Sequence, residues 1–110
     1  MTAVAGDLLL PVYTLLYIIR YTGGVSQYHV EVERTATKAL KEIHRPDRVR
    51  LTKAIIELGT EPRPHGCLKM SGMDSLYRIK IGNYRIVYAI DDTIRVVNVT
   101  RVGHRREIYR

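Results

Sequence analysis

The sequence has one cysteine, Cys67, and neither phenylalanine nor tryptophan. A single thiol excludes an intramolecular disulfide framework and a cysteine zinc cluster, which need several thiols at set spacings, and it suits a reducing compartment such as the cytoplasm. His29, His44, His65 and His104 are scattered with no His-x-x-x-His pair, so no metal-ligand set is visible and no cofactor is expected. Long apolar runs are missing as well. Leu8 to Ile19 is twelve residues, apolar except for Pro11 and Thr14, and roughly 20 are needed to span a bilayer. No positive charge precedes that run and no small-x-small site closes it, so it does not read as a signal peptide. Internal repeats and low-complexity tracts are absent.

Acidic residues are also in short supply. There are 11 Asp plus Glu against 18 Lys plus Arg in 110 residues, a net charge of +7, within an otherwise ordinary composition of 45% hydrophobic residues. That length and composition suit one globular domain, and the basic excess predicts affinity for a polyanion. The excess is uneven. Residues 25 to 75 hold nine Lys/Arg against seven acids, whereas residues 76 to 110 hold eight against Asp91, Asp92 and Glu107, net +5.

Residues 1–24 differ from the rest and read as an apolar extension, with the functional domain covering 25–110. Such a segment either packs on the domain, associates with a membrane, or precedes a true translation start at Val25; the last is the expectation carried forward. From Gln27 to Glu33 the alternation of Tyr28, Val30 and Val32 with His29, Glu31 and Glu33 predicts a half-buried strand. Thr35 is the expected N-cap of a short helix with an Ala36, Ala39, Leu40, Ile43 stripe. Pro46 and Asp47 suit the first turn of a second helix, whose stripe is Leu51, Ala54, Ile55 and Leu58 and whose end is expected at Gly59. A loop follows from Thr60 to about Ser75. Strands are then predicted over Leu76–Ile81, Tyr84–Ile90 and Thr93–Val102, joined by tight turns at Gly82-Asn83 and Asp91-Asp92. The order βααβββ implies an α+β domain: two helices packed on an antiparallel sheet of about four strands.

Strand alternation sorts the charges of the last third. Tyr77, Ile79 and Ile81 share one face of their strand, and Arg78 and Lys80 the other. In the next strand Arg85 points opposite to Tyr84, Ile86, Tyr88 and Ile90. If the helices cover the isoleucine face, three cations meet on the open face, where cross-strand repulsion costs stability unless an anion sits among them. The tail adds His104, Arg105, Arg106 and Tyr109. Cations beside a phenol or imidazole are what metal-free phosphodiester cleavage uses: a group to take the 2′-hydroxyl proton, positive charge for the phosphorane-like transition state, and a donor for the leaving oxygen.

The segments Leu76-Tyr-Arg-Ile-Lys-Ile-Gly-Asn-Tyr-Arg-Ile-Val-Tyr88 and Val102-Gly-His-Arg-Arg-Glu-Ile-Tyr109, with the upstream Lys69-Met-Ser-Gly-Met73 loop and the Thr35–Lys41 helix start, resemble the RelE toxins of type II toxin–antitoxin systems. The resemblance implies the RelE-like microbial RNase fold and metal-free cleavage of mRNA on the ribosome, restrained by an antitoxin whose acidic segment folds on binding. It also implies roles. Lys80 matches a lysine of acid–base chemistry and Arg85 the arginine that stabilises the transition state. Arg105 matches a phosphate-contacting arginine and Tyr109 the C-terminal tyrosine that stacks on or orients the nucleotide. Arg78, His104 and Arg106 are then substrate-binding. Arg78 replaces a lysine, keeping the charge without an ionisable amine. The general base stays open among Lys80, Tyr109 and His104.

Two other readings share the fold: a ParE-like inhibitor of DNA gyrase without nuclease activity, and an inactive RNA- or antitoxin-binding module. Cys67 reads as an incidental thiol, His44 and His65 as surface groups, Tyr77, Tyr84 and Tyr88 as core, and Asp91-Asp92 as a turn rather than a metal site.

Overall fold

A computed structural model of the chain describes residues 27–72 and 75–108. The expected 1–24 extension, the start at Val25 and the site residue Tyr109 lie outside the described residues. The order is β1 (His29–Val32), α1 (Arg34–Lys41), α2 (Arg45–Glu57), β2 (Leu68–Lys69), β3 (Leu76–Ile81), β4 (Tyr84–Asp91) and β5 (Val96–His104). The strands form one sheet in the order β1-β5-β4-β3-β2. Among the described residues no helix is long and apolar enough to cross a membrane.

The α+β class and both helices agree with the sequence reading; the sheet is larger and mixed. Its fifth strand, β2, has two residues paired with Arg78 and Tyr77 of β3, too few for a period to show. β1 runs parallel to β5, with Val30 opposite Val97 and Val32 opposite Val99. A parallel pair needs a long crossover, supplied here by everything from α1 to β4.

The helices cover the isoleucine face. Val30, Leu40, Leu51, Ile55, Leu58, Ile86, Tyr88, Ile90, Val97 and Val99 form one buried cluster, with Tyr77, Ile79, Ile81 and Tyr84 packed at its margin. α1 lies chiefly against β5, and α2 touches β3. Pro46 and Asp47 occupy the first turn of α2 as expected. At the junction Arg48, nearly buried, donates through Nη1 to the carbonyls of Ile43 (3.0 Å) and Lys41 (3.4 Å). A cation there satisfies acceptors left open at the end of α1 and complements its dipole.

Three local expectations are corrected. Glu33, not Thr35, is the N-cap of α1, and no side chain caps it; the Thr35 hydroxyl instead donates to the Thr100 carbonyl at 3.2 Å. Gly59 follows a helix already ended by an ordinary right-handed Leu58 cap. Its missing side chain serves packing, since a Cβ would stand 3.1 Å from both the Tyr28 carbonyl oxygen and Val30 Cγ2. Finally, β5 begins at Val96 rather than Thr93. The Asp91 carboxylate accepts from the Thr93 and Ile94 amides (2.9 and 3.2 Å), and Arg95 is left-handed at φ 58°. The β4–β5 connection is therefore an Asx-type turn ending in a left-handed residue, which breaks the extended run.

The sheet end bearing that turn is tied to the loop after α2. Arg63 reaches Asp92 with Nη2–Oδ2 at 2.8 Å and Nη1–Oδ1 at 3.3 Å, and the Tyr28 hydroxyl donates to Oδ1 at 2.5 Å. Arg63 also lies over the Tyr77 ring at 5.1 Å and donates to its hydroxyl, while Tyr88 donates to the Pro62 carbonyl at 2.8 Å. Arg63, and next the Tyr28 hydroxyl, hold the Asp92 carboxyl below the ordinary carboxylate range. The folded state thus binds this proton less readily than the unfolded chain, so the stabilisation is present above the unfolded value of about 4 and is lost as pH falls through the folded one. Asp92→Asn is expected to flatten the acid limb of stability against pH, below about pH 4, in thermal melts. A limb as steep as in the wild type would show that the tie contributes nothing.

Candidate functional site

The opposite end of the sheet carries the cations. The β3–β4 turn is two residues long, with Ile81 opposite Tyr84 and a positive φ of 60° at Gly82, the first-position glycine that a tight hairpin of this length favours. This fixes the register: Lys80 stands directly opposite Arg85, and Arg78 opposite Val87. Ile79 and Ile86 pair on the other face, where Ile86 is fully buried among the helix contacts. Arg78, Lys80 and Arg85 are thus brought together on the open face, as the alternation predicted. Directly opposed side chains have Cβ atoms about 4.5–5.5 Å apart, so Lys80 and Arg85 are held close enough to share one anion.

Arg85 is oriented by the turn beneath it. Its Nη1 donates to the carbonyls of Tyr84 (3.0 Å) and Gly82 (3.4 Å), leaving other guanidinium donors for a ligand. The Arg105 amide donates to the carbonyl of Asn83 in the same turn at 2.8 Å, so the tail is fastened beside Arg85.

Gly103 explains how the tail reaches this face. It pairs with Arg85, and a Cβ there would stand 3.3 Å from Ile108 Cδ1. Ile108 therefore lies over Gly103 on the side to which Arg85 points. Val87 and Ile108, 5% and 2% exposed, are buried apolar side chains outside the helix-side cluster. A short turn from His104 to Ile108 carries the chain there, with the Glu107 and Ile108 amides donating to the His104 carbonyl at 2.8 and 3.0 Å.

The predicted residues do not all converge. Arg105 and Arg106 are exposed on this turn, and the Arg106 amide donates to His104 Nδ1 at 3.2 Å. His104 itself pairs with Tyr84 and meets its ring edge-on at 5.8 Å. It thus lies toward the helices, in a cavity of about 360 Å³ shared with Glu42, His44 and Glu107. Neither its imidazole nor the Glu107 carboxylate belongs with Lys80 and Arg85. The tyrosines expected in the core are there: Tyr88 is fully buried, and Tyr77 stacks on it at 6.0 Å. Cys67 is a free, half-buried thiol.

One cation escaped the sequence reading. Arg101 pairs with Val87 and so shares the open face with Arg78, Lys80 and Arg85. Strict alternation from the buried Val97 and Val99 would put residue 101 inside. A bulge between Val87 and Tyr88 changes this: Val87 pairs with Arg101 and Tyr88 with Val99, which leaves Thr100 as the extra residue. The available signal was that Val97, Val99 and Val102 cannot all face the core without such a break.

The arrangement gathers Arg78, Lys80, Arg85 and Arg101 on one face of the sheet, and among the described residues no group of three or more His, Cys, Asp or Glu could hold a metal. Gly103→Val is expected to displace Ile108 and cost about 1–3 kcal/mol by overpacking, with faster hydrogen exchange at the Arg105, Glu107 and Ile108 amides. Unchanged exchange would show that the tail is not held by Gly103.

Known proteins share this fold and sequence. The family model described as "ParE toxin of type II toxin-antitoxin system, parDE" matches residues 30–109. The mRNA interferase toxin RelE of Escherichia coli K12 is 33% identical over 86 residues, covering 74% of this chain and 90% of its own. Toxin RelE of Mycobacterium tuberculosis is 31% identical over 88 residues, covering 76% and 87%. Among solved structures, the intact E. coli RelBE toxin–antitoxin complex has a matching chain with TM-score 0.62 and 32% identity, covering 70% of this chain and 95% of that one. The chain belongs to the RelE toxin family, within the RelE/ParE toxins of type II toxin–antitoxin systems.

Proposed function

We propose that this toxin is a ribosome-dependent mRNA endoribonuclease that needs no metal, active in the cytoplasm and neutralised by a cognate antitoxin with an acidic segment that folds on binding. The observation that carries the reading is the pairing of Lys80 with Arg85, beside Arg78, on a face the helices leave open. The similarity to a relative named an mRNA interferase supports the activity, and the similarity to a toxin bound to its antitoxin supports the partner.

In this reading the RNA 2′-oxygen attacks the adjoining phosphorus as a base removes its proton. The bond from phosphorus to the 5′-oxygen breaks, and that oxygen takes up a proton. A 2′,3′-cyclic phosphate and a 5′-hydroxyl result. Charge grows on the non-bridging oxygens, where the Arg85 guanidinium, with Lys80 opposite, stabilises it more than in the ground state. Arg105, on the turn fastened to Asn83, supplies a further cation, and Arg106 binds substrate along the same turn. The base is Lys80 or Tyr109; the helix-side placement of His104 weighs against the third candidate.

The matching family model carries the ParE name, which keeps gyrase inhibition as the second reading. A gyrase inhibitor without nuclease activity has no use for cations gathered around a phosphate. Arg85→Ala is expected to lower the cleavage rate on translating ribosomes by roughly 10²–10³ with an unchanged circular-dichroism spectrum. Wild-type cleavage by the folded variant, or inhibition of supercoiling with no mRNA cleavage by the native toxin, would overturn the assignment.

A further inference from the structure

We propose that Arg101 is a further substrate-binding residue, and that with Arg78 it holds the phosphate next to the scissile one, above the buried Val87. The proposal rests on the endoribonuclease reading and adds a second phosphate subsite to it.

The sheet register defines the subsite. Arg78, Val87 and Arg101 form one cross-strand row on three adjacent strands, and Lys80, Arg85 and Gly103 form the next. Successive same-face rows are about 6.6 Å apart, twice the rise per residue of a strand, a spacing that neighbouring phosphates of an extended single strand can match. Arg78 and Arg101 are two strand spacings apart, about 9.6 Å, with the short Val87 side chain between them. Guanidinium groups on opposite sides of a low apolar floor place positive charge on both sides of one phosphate, and Arg101 can offer it paired N–H donors.

Arg101 has no structural task to explain its position. It is exposed, and no carboxylate of the described residues pairs with it, whereas Arg63 has Asp92 and Arg50 has Asp47. Its place on this face depends on the Thr100 bulge, which is itself secured: the Thr100 hydroxyl donates to the Val87 carbonyl at 3.2 Å, and the Thr100 carbonyl accepts from Thr35. The acids of the open face gather farther along the sheet. Glu31 pairs with Asn98, whose amide donates to Glu33 at 2.8 Å. An anionic strand is therefore drawn to the end that carries Arg78 and Arg101.

The test compares single-turnover cleavage by the wild type, Arg101→Ala and Arg101→Lys over a range of concentrations of ribosomes programmed with mRNA. Hydrogen bonds to a charged group predict a half-saturating concentration raised roughly ten- to hundredfold for Arg101→Ala. The rate at saturation should be retained, and Arg101→Lys should recover part of the affinity. An mRNA with an uncharged methylphosphonate at one linkage flanking the scissile bond should weaken the wild type and erase its advantage over Arg101→Ala. Equal half-saturation for the wild type and a folded Arg101→Ala, or an advantage that persists with the methylphosphonate on either side, would overturn the proposal. Arg85→Ala in the same assay separates the two levels. If it is inactive while Arg101→Ala is unchanged, only the second subsite falls; if it cleaves normally, the site built around Arg85 falls too; and if the wild type itself cleaves nothing, the endoribonuclease reading falls.

Discussion

Side chains alternate across a strand with a period of two, so the register of β4 against its neighbours decides which charges meet in this molecule. Two features hold that register. The Gly82-Asn83 turn sets Lys80 against Arg85, and the extra residue at Thr100 sets Arg101 against Val87 while returning Val102 to the core. A one-residue slip at either place would send the cations into the helix-side core, where unpaired charge is not tolerated. The apolar packing of Ile79, Ile86 and Val102 thus also fixes the basic face, because the two faces cannot be chosen separately.

The two ends of the sheet treat charge differently. At one end the Arg63–Asp92 pair is closed: Arg63 grips Asp92, Tyr28 bonds the same carboxylate, and Tyr77 and Tyr88 anchor the loop after α2. At the other, Lys80 faces Arg85 with no acid in the row. Like charges directly opposed in a sheet are destabilising, and the helix-side core is the counterweight that lets the arrangement persist. The tail follows the same logic, since Ile108 reaches the basic face only because Gly103 has no side chain in its way.

What the sequence revealed depended on how local the determining physics was. The Tyr-Arg-Ile-Lys-Ile and Tyr-Arg-Ile-Val-Tyr alternations displayed both faces of β3 and β4, and the Gly-Asn turn supplied their register, so Arg78, Lys80 and Arg85 were placed correctly. The parallel pairing of β1 with β5 joins residues 67 apart in sequence, as His29 and Val96, and leaves no local sign. Arg101 was hidden because a bulge is one residue's departure from a period, and three valines are too few to show it. His104 was grouped with the arginines by adjacency in the chain, yet its pairing with Tyr84 turns it toward the helices. Thr35 looked like a cap and instead serves the bulge.

The central claim is that these cations are assembled for an anion at the expense of the free fold. Comparing melting temperatures of the wild type and Lys80→Gln at low and high salt tests it most directly. Removing one member of an opposed like-charge pair is expected to raise the melting temperature by a few degrees at low ionic strength, from roughly 0.2–1 kcal/mol of relieved repulsion. The gap should close as salt screens the pair. A variant that melts at or below the wild-type temperature at every salt concentration would show that Lys80 serves the fold, and would contradict the account.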